Sequence, residues 1–105
     1  MSSSLHDDQR PIVLAAVRGL IEAARSERAL LPASSAERQF YLGVDAAARE
    51  VLHQELGSSR EHGWLDRQEH NFREGYLQTS ALIAAAATAA EPPLRLALPS
   101  PSLAG

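Results

Sequence analysis

Glu50-Val51-Leu52-His53 places a carboxylate and an imidazole three residues apart in a stretch of helical periodicity. On a helix that spacing puts both groups on one side, the half-site from which carboxylate-bridged di-iron bundles are built. A second copy of the chain would bring two such pairs together, with Glu22 or Glu27 as the missing carboxylates. Two geometric checks oppose this. On a helical wheel Glu50 and His53 fall well away from the apolar stripe of their own segment, so both are expected to face water. In a hairpin turning at Pro32-Ala33, Glu22 lies about seven residues from the level of Glu50, roughly 10 Å along the axis. Glu61-His62 and Glu69-His70 form a second cluster, but no repeat on one face organises them, and they read as surface groups of a connector. Trp64, Phe72 and Tyr76 supply the aromatic surface for either a small-ligand pocket or an anchoring contact, with anchoring favoured for the single tryptophan.

Three local resemblances attach to these residues. The hairpin carrying Glu50 and His53 resembles the short encapsulated ferritins, which dimerise to build an iron site. That likeness implies a metal-binding alternative and covers only the hairpin plan. Leu42-Gly43-Val44-Asp45-Ala46 resembles the prosthetic-group motif of acyl carrier proteins, but Ala46 stands where the modified serine would be, so no phosphopantetheine attachment is implied. Tyr41-x-x-x-Asp45 resembles the tyrosine-acid signal of helical-hairpin proteins exported by actinobacterial type VII systems, without the accompanying tryptophan-x-glycine turn. No Gly-x-Ser-x-Gly turn, phosphate-binding glycine loop or zinc-protease helix is present. No catalytic residue, cofactor or metal is assigned, and an enzyme is the less favoured reading.

The elements that must position these groups are helices, and the expected fold is all-α: a small antiparallel bundle of three long helices, a short connector helix and an extended C-terminal tail. Residues 1–8 form a polar lead-in, 9–91 the bundle and 92–105 the tail. The first helix is expected over about 9–31, begun near Asp7 or Asp8 with Pro11 in its first turn and stopped by Pro32. Val13, Val17, Leu20, Ala24 and Leu31 share one sector; Arg18, Glu22 and Arg25 oppose it. Ser34 and Glu37 read as the capping box of a second helix running to about Leu56, with Gly57 ending it. Its apolar face is Phe40, Val44, Ala47, Ala48 and Val51, with Arg38, Asp45 and Arg49 on the wet side. The short link makes the two helices an antiparallel hairpin. A brief helix could start at Ser58 and Glu61.

The third helix, about 71–90, is expected to be capped by Asn71 with Glu74 and stopped by Pro92-Pro93. Phe72, Tyr76, Ser80, Ile83, Ala87 and Ala90 mark one face, and the other offers little polarity after Gln78. A helix so nearly apolar all round needs cover on more than one side, so it is read as the inner element of the bundle. Leu94, Leu96 and Leu98 alternate along the tail and could dock on the chain's own groove or on a partner. Candidate interaction residues are therefore Trp64, Phe72, Tyr76, Ser80, Ile83, Ala87, Leu94, Leu96 and Leu98.

Composition bounds the remaining classes. A chain of 105 residues makes one domain with a modest core. A net charge of −3, with all ten cations arginine and scattered, gives no nucleic-acid footprint. There is no cysteine, hence no disulfide. No secretory signal or membrane span is evident, so a cytoplasmic location is the default expectation. The expected function is a small interaction or scaffold protein, a homo-oligomer, most simply a dimer, associating through the alanine-rich helix, with a possible protein partner for the tail.

Overall fold

The computed structural model describes residues 10–53 and 63–101. Within them the chain is all-helical, a packed antiparallel bundle of α1 (Arg10–Ala29), α2 (Ala36–His53) and α3 (His70–Thr88), with a single 3-10 turn at Leu65–Arg67. The connector helix proposed to start at Ser58, the Gly57 stop and Glu61-His62 lie outside the described residues.

Several helix ends differ from expectation, each for a local reason. α1 stops two residues before Leu31, because Leu30 N–H and Leu31 N–H turn back to the carbonyls of Glu27 and Arg28, both at 3.1 Å, as the chain tightens ahead of Pro32. Ser35, not Ser34, caps α2: its hydroxyl oxygen accepts from Arg38 N–H at 3.1 Å. Glu69, not Asn71, caps α3, its Oε1 accepting from the amides of Asn71 at 2.8 Å and Phe72 at 3.3 Å. Asn71 instead holds the other carboxylate oxygen through Nδ2, at 3.0 Å. At the far end Thr88 Oγ1 donates to the carbonyls of Ala84 and Ala85 within 3.2 Å, and the helix ends there, short of Pro92.

The core is the α1–α2 hairpin. Val13, Val17, Leu20, Ile21 and Ala24 of α1 meet Phe40, Tyr41, Val44 and Ala48 of α2, all buried, and α3 adds one large residue, Ile83. α2, not α3, is the inner element, packed against α1 on one flank and α3 on the other, while α1 and α3 meet only marginally. The expectation failed because the flank of α2 that receives α3 carries Gly43, Ala47 and Glu50, which share a face at spacings of four and three without any large apolar residue to announce it. Asp45, expected to be wet, is only 13% exposed in its side chain and joins the hairpin. It takes Arg28 of α1 at 3.4 Å and Arg49 of its own helix at 2.8 Å.

The tail returns along α1. Leu96 and Leu98 pack against the core of their own chain, whereas Leu94 is 79% exposed. Among the described residues no helix is long and apolar enough to cross a membrane.

Candidate functional site

Two glycines set the geometry of the α2–α3 seam. A Cβ built on Gly43 would run into the Phe72 carbonyl and come within 2.9 Å of the Tyr76 nitrogen, and one on Gly75 would run into the Phe40 carbonyl. The two backbones therefore touch where Gly43 crosses Gly75, closer than side chains would allow. Thr79, one turn on from Gly75, is fully buried against the same seam, and its hydroxyl has no hydrogen-bond partner among the described residues.

This close approach delivers Phe72 and Tyr76 to the C-terminal part of α2. Tyr76 O–H donates to Glu50 Oε1 at 2.5 Å, a charge-assisted bond to a carboxylate only 6% exposed. Trp64 enters from the connector after Gly63, which holds the left-handed φ of 81° that a side-chain-bearing residue adopts with strain. Its ring packs edge-on against Phe72 at 5.8 Å and Tyr76 at 5.7 Å between centroids. Gln68 Nε2 donates to the Trp64 carbonyl at 3.2 Å, tying the 3-10 turn to the same cluster.

The expectation that Glu50 faces water is thus corrected: α3 covers it, and Tyr76 satisfies one of its oxygens. His53, at the end of α2, is exposed, so the two halves of the Glu-x-x-His pair stand in different surroundings. Glu22 is exposed and paired with Arg25 at 3.6 Å, and Glu27 is exposed near the end of α1. Among the described residues no three His, Asp or Glu side chains gather to hold a metal ion. Glu69 is committed to capping. Burial nudges its carboxyl upward, but the bonds from Asn71 and Phe72 and the neighbouring His70 outweigh that and hold it below the ordinary value.

The predicted interaction residues divide. Trp64, Phe72 and Tyr76 come together as the cluster just described, each half-buried. Ile83 is 5% exposed within the core, and Ser80 and Ala87 flank it, half-buried on the covered side. The side of α3 left open carries Leu77, 52% exposed, with Ala81, Ala84, Ala85 and Thr88. Sequence reading noted how little polarity this side has but placed the interaction on the other. The signal that would have separated them is Gly75, whose bare backbone marks the side in contact.

No family model, curated protein or solved structure matches this chain.

Proposed function

We propose that this protein is a small helical interaction or scaffold protein that pairs with a second copy of itself through the outer side of α3. The observation that carries the reading is the exposure of Leu77 at 52% in a helix with no charged residue from Gly75 to its end. Leu77, Ala81, Ala84 and Thr88 follow one another at spacings of four, three and four, the repeat along which two helices form a seam. Small side chains let such a pair approach closely, giving a shallow contact spread along the helix. A homodimer by this route is isologous, since the same strip serves both copies.

Sedimentation equilibrium at tens of micromolar is expected to give a dimer, and Leu77→Glu to give a monomer of unchanged helicity. A wild-type chain that sediments as a monomer, or a dimer indifferent to Leu77→Glu and Ala81→Arg together, would remove the proposal.

A further inference from the structure

The third glycine inside a helix has no role in the packing described so far. Gly43 and Gly75 are required by the backbone crossing, but a Cβ added to Gly19 would meet nothing within 4 Å. A glycine in mid-helix is less favourable than alanine, and nothing among the described residues uses the room it leaves. That room is part of a cleft of about 430 Å³ between α1 and the returning tail, lined by Ala15, Ala16, Gly19 and Ala23 below and by Leu94, Arg95 and Leu96 above. Its size lies within the range of small-molecule sites. On α1 the lining is alanine and glycine, from Ala15 to Ala23, roughly 12 Å along the helix axis.

Arg95 supplies the one charge of the lining among the described residues. No acidic side chain among the described residues pairs with it. Glu22, beside Ala23 in sequence, is paired with Arg25 instead. The tail thus places an exposed arginine along the edge of a trough floored by small residues, between two leucines, one of them, Leu94, 79% exposed. A guanidinium matches a carboxylate with two parallel hydrogen bonds, and the trough accepts an unbranched alkyl chain laid over Gly19.

We propose that the cleft between α1 and the 94–96 stretch of the tail is a binding site for an amphipathic organic acid, a short-chain to medium-chain alkyl carboxylate. The chain lies over Ala15, Gly19 and Ala23, and the carboxylate pairs with Arg95. The site is on a different surface from the outer side of α3 and does not depend on self-association.

The test is a titration of the full chain with octanoate, followed by amide shifts in proton–nitrogen correlation spectra, with 1-octanol as the uncharged control. Saturable shifts at Ala15, Gly19, Ala23 and Leu96 are expected, with octanol about three- to fivefold weaker, as one solvent-accessible charge-assisted pair provides. Arg95→Gln should bring octanoate down to the octanol level without moving octanol itself. Gly19→Leu, whose side chain enters open space, should abolish binding of both; should that variant not fold, the Arg95→Gln comparison decides. Shifts confined to Leu77, Ala81 and Ala84, equal affinity for acid and alcohol in the wild type, or no saturation at millimolar octanoate would each overturn the assignment.

Discussion

Tyr76 and Tyr41 are the two phenols of the chain, and each lies near carboxylates, Tyr76 in a hydrogen bond and Tyr41 through space. Tyr76 gives its proton to a bond with a buried carboxylate, so Tyr76→Phe deprives Glu50 of a partner while keeping the ring against Trp64. A loss of about 1–2 kcal/mol in urea unfolding is expected; an unchanged midpoint would show that the bond contributes nothing net. Tyr41 is buried on the α1 side, edge-on to Phe40 at 5.5 Å. Burial, with the charges of Glu27 and Glu37 adding to it, pushes its pKa above the ordinary phenol value. The folded protein therefore keeps that proton to a higher pH than the unfolded chain. Its contribution is fully present below the unfolded pKa near 10 and is lost as pH rises through the folded value. Because the chain has neither lysine nor cysteine, no other kind of side chain has its ordinary pKa in that window. Urea midpoints from pH 9 to pH 11.5 should fall in the wild type and fall less in Tyr41→Phe, and equal slopes would refute the assignment.

At the scale of the elements, the helical glycines divide by what they face. Gly43→Ala and Gly75→Ala each set a methyl against backbone, which cannot swing aside as a side chain can. The helices must separate, and each variant is expected to lose about 1–3 kcal/mol despite its better helix propensity. Gly19→Ala meets open space and should gain about 0.5–1 kcal/mol. Thermal denaturation of the three variants checks the contrast, and a shift of the same sign in all three would contradict it. The same seam explains what could be read in advance. The α1–α2 hairpin was legible because Val13, Val17, Leu20, Phe40 and Val44 are large, apolar and spaced by three and four. The α2–α3 contact was not, because it is made where side chains are missing, and Glu50 beside it looks like a surface residue until Tyr76 arrives. Hydropathy patterns register what is present at a contact and pass over what has been removed to permit one.

At the scale of the whole molecule, the alanine-rich helix that seemed by its composition to belong at the centre lies at the periphery. Lack of charge along α3 implied cover on several sides, but the described residues cover one, through Gly75, Thr79, Ile83 and Ala86. The proposed second copy accounts for the other. The tail, expected to be extended, is divided in use. Leu96 and Leu98 seal the hairpin core, while Leu94 and Arg95 face outward over α1. The tail alternation was visible in the sequence, yet its partner surface was not, since Ala15, Gly19 and Ala23 carry too little side chain to mark a groove.

α3 puts one large residue into the core and is otherwise held by the Gly43–Gly75 crossing, the Tyr76–Glu50 bond and the Trp64 cluster, so it is expected to peel first. Amide hydrogen exchange in native buffer should show α3 opening as a unit ahead of α1 and α2. Raising the protein concentration should slow that opening if a second copy clasps the helix, and leave it untouched otherwise. Uniform protection across the three helices would mean that the bare crossing grips as firmly as the interlocked hairpin. If α3 does open first, the weakest-held segment is also the one offered outward, so a partner taking it would in the same act brace the rest.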